Sequence, residues 1–194
     1  MTTTATQTES QRRLFTVAEF IAMGKFGILL QDERIELLDG EVIRMAPIGD
    51  PHLFCTDALN MLLAPALVGR AVVRVQGSIR LDEFSAPQPD LALLRLREGY
   101  HTDPAKPEDV LLVIEVAETS LEYDSGPKAA AYAAAGIPEM WIANLRTGEV
   151  EIRTQPSGSG YDTVRIVRAG GRISPGSFPD VVLQLQEFLP PIEA

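Results

Sequence analysis

Two apolar segments, each interrupted by one acid, constrain this chain more than any other feature. The first is Gln88-Pro89-Asp90-Leu91-Ala92-Leu93-Leu94 and the second is Leu111-Leu112-Val113-Ile114-Glu115-Val116-Ala117. Neither alternates between apolar and polar, which is the pattern of a strand covered on both faces. A carboxylate in such a strand is costly unless a cation or hydrogen-bond donors meet it. Lys128 follows at the start of a predicted helix, so Asp90, Glu115 and Lys128 mark one polar site in an otherwise apolar sheet. A bound divalent cation is the simplest way to satisfy both acids.

The chain has 194 residues, enough for one domain with a sizeable core. We expect a disordered tail over 1–13, polar and Thr-rich and without the apolar segment of a signal peptide, followed by a single domain over 14–194. No apolar run is long enough to cross a bilayer. Cys55 is the only cysteine, which excludes an internal disulfide and fits a reducing cytoplasm; Leu53 and Phe54 beside it point to a packed core thiol. The net charge of −10 argues against broad attraction to nucleic acid. A local basic groove depends on placement, and Arg70, Arg74, Arg80, Arg95 and Arg97 cluster in mid-sequence, each alone reading as a solvated strand rim.

In chain order, Thr16-Val17-Ala18-Glu19 is a capping-box pattern that predicts a short helix to about Met23, packed on the sheet by Phe20 and Ile21. Asp39-Gly40 between the apolar runs of 34–45 predicts a hairpin. Glu36 within it reads, taken alone, as an outward-facing strand residue. A helix is predicted from His52 to Val68, with Asp50 as cap, Pro51 at its first position and Pro65 kinking or ending it. Strands are expected at 71–76 and 78–81 with Gly77 as a bulge or turn, and at 111–117, 140–144 and 149–153. A loop holds 97–109, including a solvated His101, and another holds 156–160. Between strands, Pro127–Ala135 reads as a helix with Pro127 at its first position and Asp124 or Ser125 as cap. Lys128 then sits in a first turn, against the helix dipole, and shares a face with Tyr132. The whole predicts an α/β fold: a mixed central β-sheet flanked by helices, with an N-terminal β-hairpin.

The order of these segments, "RIELLDGE", a His at a helix start, "QPDLALL", "VLLVIEV" and "GPKAAAYAAAGIPEMWI", resembles the Uma2 family (DUF820) of the PD-(D/E)XK restriction endonuclease-like superfamily. The likeness runs from about Phe15 to Ile152. It implies a restriction endonuclease-like core, with Asp90 as the Asp of the Pro-Asp motif and Glu115 as the second acid. Lys128 resembles the family's lysine on the following helix, and Glu36 matches the acid of its hairpin. Gln76 falls in a "VQ" strand typical of the family. The superfamily's usual lysine lies two residues beyond the second acid, where this chain has Ala117; a lysine on an adjacent helix can serve if its ammonium reaches the same point.

The resemblance implies a metal-dependent nuclease acting on DNA, in a homodimer. Asp90 and Glu115 are the expected ligands of Mg2+ or Mn2+, with Glu36 as a further ligand or a group behind the first two. Lys128 is expected to orient a water or stabilise developing charge, and His52 to touch the phosphate. Ala117 and the net charge favour a competing class, an inactive nucleic-acid-binding or dimeric interaction module on the same fold.

Overall fold

The computed structural model describes residues 12–30, 32–158 and 160–191. Most of the expected tail lies outside the described residues. Within them, Arg12 pairs with Glu41 at 2.7 Å and Arg13 pairs with Glu19.

Helix α1 (Val17–Lys25) is closed at its start by the reciprocal bonds of Thr16 and Glu19, as the capping box requires. It buries Val17 and half-buries Phe20, while Ile21, expected to pack, is exposed. The partner is not the central sheet but the hairpin: Val17 and Phe20 meet Leu37 and Ala86. The hairpin pairs β1 (Ile35–Leu38) with β2 (Glu41–Arg44) through Asp39 and Gly40, whose positive φ angles of 50° and 76° suit the right-handed twist of the two strands. Leu37 faces α1, and the Leu37 carbonyl accepts the Ala86 N–H at 2.8 Å. Its neighbour Glu36 is only 2% exposed. The outward placement that alternation alone suggests for Glu36 is therefore wrong, because β1 is covered on both faces.

A six-stranded sheet forms the centre, in the order β3 (Ala71–Val75), β4 (Leu91–Arg95), β5 (Val110–Ala117), β6 (Glu139–Asn144), β7 (Glu149–Ser157), β8 (Gly160–Val167). Only β5 and β6 run parallel. A parallel pair needs a crossover, and here a helical segment supplies it. Helix α2 (Asp50–Ala66) packs Cys55, Leu59 and Leu63 with Leu91, Leu93, Ile114 and Trp141 on one face. The crossover packs Ala129 and Tyr132 with Ala92, Val113 and Ile142 on the other. The small ladder β9 (Arg172–Ile173) with β10 (Leu183–Gln184), and the buried Leu185 and Phe188 after it, complete the first face.

Several local expectations change. Gly49, not Asp50, caps α2, with Asp50 opening the helix, which ends one residue beyond Pro65. The stretch 78–81 leaves the sheet because Gln76 adopts a φ of 46° and turns the chain. The Ile79, Arg80 and Leu81 amides donate instead to the carbonyls of Pro87, Ala105 and Ser85. The loop expected at 156–160 is a tight hairpin in which Ser157 pairs with Gly160.

The crossover helix differs most. It begins at α3 (Leu121–Tyr123), behind Ser120, widens into one π turn (Asp124–Lys128) and continues as α4 (Ala129–Ala134). Pro127 lies inside it, so Asp124 and Ser125 do not cap it and Lys128 is not in a first turn. Proline brings no N–H, and the wider turn absorbs that loss. The Ala129 N–H reaches back to the Asp124 and Gly126 carbonyls. The Ser125 carbonyl, which an α-helix would have paired with Ala129, accepts from Arg153 Nη1 on β7 at 2.9 Å.

Candidate active site

The end of β5 provides the first acid. Glu115 shares a sheet face with Val113 and Ala117, over which the crossover helix lies. Asp90 precedes β4, held there because Pro89 keeps the strand from starting earlier. The Val116 N–H donates to Asp90 Oδ2 at 2.9 Å, which fixes the Asp90 carboxylate beside the Glu115 strand. His52, in the first turn of α2, places Nε2 3.1 Å from the same Asp90 oxygen. Thr56 Oγ1 lies 3.4 Å from the other ring nitrogen, Nδ1. His52 therefore orients Asp90.

Lys128 projects from the π turn to Glu115, with Nζ 2.8 Å from Glu115 Oε1 and 3.4 Å from Glu36 Oε2. The Tyr132 hydroxyl, four residues on, donates to the same Glu115 oxygen at 2.8 Å. Glu36 accepts from the Tyr123 hydroxyl at Oε1 and from the Gln88 N–H at Oε2, both at 2.8 Å. All five residues expected at the site, Glu36, His52, Asp90, Glu115 and Lys128, line one cavity of about 320 Å³. None is more than 8% exposed. Gln76 also lines it.

The structure adds Asp124, which the sequence reading treated as a cap. Its Oδ2 accepts from Ser120 Oγ at 2.5 Å, while Oδ1, 4.0 Å from Lys128 Nζ, is buried without a hydrogen-bond partner. Ser120, Asp124 and Lys128 are spaced by four residues each, the one signal that could have joined them.

Three buried acids, Glu36, Glu115 and Asp124, thus meet one ammonium, and Asp90 is a fourth buried acid in the same cavity. Burial drives Glu115 well above the usual carboxylate range, against the pull of Lys128 and helped by the charges of Asp124, Asp90 and Glu36. Burial likewise pushes Asp124 up to about 6, with Lys128 opposing. Burial alone would lower Lys128, but Glu115, Glu36 and Asp124 outweigh it and hold the ammonium above its usual value. The ammonium form of Lys128 is thus favoured, and so, relative to a free carboxyl, are the protonated forms of Glu115 and Asp124.

A family model described as "Putative restriction endonuclease", that of Uma2, matches residues 17–186. The chain belongs to the Uma2 family. A solved structure from Anabaena variabilis ATCC 29413, described as a "putative nuclease belonging to DUF820", has a TM-score of 0.65 and 11% identity. The match covers 90% of this chain and 97% of that one. At that identity the likeness speaks for the shared fold. No curated protein matches the chain. The Uma2 assignment agrees with the resemblance drawn from the motif order, and with the sheet, hairpin and crossover observed.

Ala117, at the usual lysine position of the superfamily, is fully buried and packs in the core on the crossover side. The ammonium arrives from the helix above it instead.

Proposed function

We propose that this Uma2 chain is a metal-dependent endonuclease that hydrolyses phosphodiester bonds in DNA. The observation that carries the proposal is the meeting of Asp90, Glu115 and the Lys128 ammonium in one buried-walled cavity. The donor set suits a divalent cation. The cavity holds four buried acids and one lysine, and one oxygen of Asp124 has no partner. Among the described residues no three His, Cys, Asp or Glu side chains converge as a ready cage. Mg2+ or Mn2+ needs no such cage, since one or two carboxylates and several waters suffice to hold it.

Asp90 and Glu115 would hold the ion, since no protein donor among the described residues reaches Asp90 Oδ1 or Glu115 Oε2. Glu36, expected as a further ligand or as a group behind the first two, is engaged at both oxygens and would act by holding Tyr123 and Lys128. Such a cation supplies stabilisation of charge on the phosphate and a water of lowered pKa. His52 keeps Asp90 turned toward the cavity, and Val116 fixes it by its amide. Lys128 offers its N–H groups to the attacking water or to the charge that develops on the phosphoryl oxygens. Tyr132 holds Glu115 in place beneath it.

Titration with Mn2+ of the native chain and of Asp90→Ala, paired with cleavage of plasmid and oligonucleotide DNA, tests the reading. We expect saturable binding and cleavage in the native chain and loss of both in the variant. The net charge of −10 favours a second reading, a binding or interaction module without catalysis. Metal-independent DNA binding with no cleavage supports that one.

The proposal includes a homodimer, which would present two cavities to the two strands of a duplex; sedimentation equilibrium tests it. No described helix is long and apolar enough to cross a membrane. The lone buried thiol of Cys55 fits a reducing compartment, and we place the chain in the cytoplasm.

A further inference from the structure

In the reading above the unpartnered oxygen of Asp124 counts among the donors of the cavity, but Asp124 is assigned no ligand and no positioning role. An ammonium has three N–H groups to donate. Lys128 gives good contacts to Glu115 Oε1 at 2.8 Å and, more loosely, to Glu36 Oε2 at 3.4 Å. The third acid, Asp124 Oδ1, stands at 4.0 Å, beyond hydrogen-bond reach. Yet that oxygen is buried with no other donor, and Ser120 pins its twin at 2.5 Å, so the carboxylate is held in place facing the lysine. A buried acceptor left unmade is costly, and a displacement of Nζ of about 1 Å would satisfy it.

The same displacement has a consequence at Glu115. The lysine and a cation compete for that carboxylate, since both are drawn to its negative charge. A lysine that leaves Glu115 needs another anion to receive it, or it becomes an uncompensated buried charge. Asp124 is such an anion, one helical turn from Lys128 across the π turn.

The geometry points to Asp124 as the positioning residue of this site: the seat to which the Lys128 ammonium moves when a divalent cation takes Glu115. This rests on the metal-dependent reading above. Asp124 acts through Lys128 and does not hold the cation itself. The lysine then stands beside the occupied carboxylate rather than on it, free to meet a water or phosphoryl oxygen.

The test is a double-mutant cycle read by Mg2+ titration calorimetry, with Asp124→Asn and Lys128→Met singly and together. Asp124→Asn should weaken Mg2+ binding roughly tenfold when Lys128 is present, and should have no effect in the Lys128→Met background. Equal weakening in both backgrounds would mean that Asp124 is itself a ligand and would overturn the proposal, as would no effect in either. A second readout needs no lysine variant. In the chain labelled with 15N-lysine, the Lys128 side-chain nitrogen signal should shift on adding Mg2+, and Asp124→Asn should abolish the shift. A native chain that binds Mg2+ without moving that signal also overturns the proposal while leaving the metal-dependent reading intact. A native chain that binds no Mg2+ removes both.

Discussion

Lys128 and Glu115 form an ion pair of 2.8 Å between the crossover helix and the strand beneath it, both side chains almost wholly out of water. Such a pair gains little net stability by existing, but breaking it strands a charge in the interior. Lys128→Ala should lower unfolding stability by about 3–5 kcal/mol, read by urea denaturation. Under conditions where the variant remains folded, DNA cleavage should fall by roughly 10²–10³-fold, the usual loss when a donor to developing charge is removed. Retained cleavage at the native rate would remove Lys128 from the reaction.

His52 tests the support behind Asp90. Partners that orient a metal-holding group typically change affinity by about 10- to 100-fold when removed. His52→Ala should weaken Mn2+ binding by about tenfold with little change in fold, and His52→Gln, which keeps a donor, should recover part of it. Direct phosphate contact by His52 would instead leave Mn2+ affinity intact and weaken DNA binding.

The raised carboxyls predict an uncommon dependence of stability on pH. Asp124 titrates at about 6 in the folded chain against a usual 3.8. Between about pH 4 and 6 the folded state therefore keeps a proton that the unfolded state has lost. Stability falls as pH rises through that window and levels off above it. Glu115, also raised, acts in the same direction. Asp109 and Asp180, held low by Arg97 and Arg70, act oppositely but only below their ordinary range. Urea midpoints from pH 4 to 7 should show a decline on the order of 2 kcal/mol. Asp124→Asn should remove the share of Asp124 and leave that of Glu115, so the decline becomes shallower.

Arg153 tests the π turn. Its guanidinium reaches the Ser125 carbonyl that the widened turn leaves free, and Glu151 holds it from behind at 2.8 Å. Arg153→Met keeps much of the apolar stem and removes the donor. We expect a loss of about 1–3 kcal/mol and faster hydrogen exchange confined to 124–129.

Cys55 is wholly buried on the sheet-facing side of α2, and burial pushes its thiol up to about 12. It should resist iodoacetamide in the folded chain and react within minutes in denaturant. Rapid labelling of the native chain would contradict the packing of α2 on the sheet.

Much of this was legible in the sequence because local chemistry and tertiary packing agree. Thr16 and Glu19 cap α1 as their spacing says, and Asp39-Gly40 turns the hairpin. The unbroken apolar runs around Asp90 and Glu115 form adjacent central strands. What failed depended on long-range partners. Glu36 is buried because Gln88, Tyr123 and Lys128 come from distant segments to meet it. Pro127 imitates a helix start, which hid the preceding turn and with it Tyr123 and Asp124. The exposure of Ile21 follows from α1 leaning on the hairpin, which periodicity within α1 does not reveal.

The π turn also sets the angular offset between the two halves of the crossover helix. Each residue of an α-helix advances about 100° around its axis. Excising one residue there, Ser125 or Gly126, would swing Ser120, Tyr123 and Asp124 by about that angle relative to Lys128 and Tyr132. The acid-bearing half would then face elsewhere while the lysine still met Glu115. A single added residue in a helix thus works as a rotary adjustment, bringing groups from both sides of a proline to bear on one point.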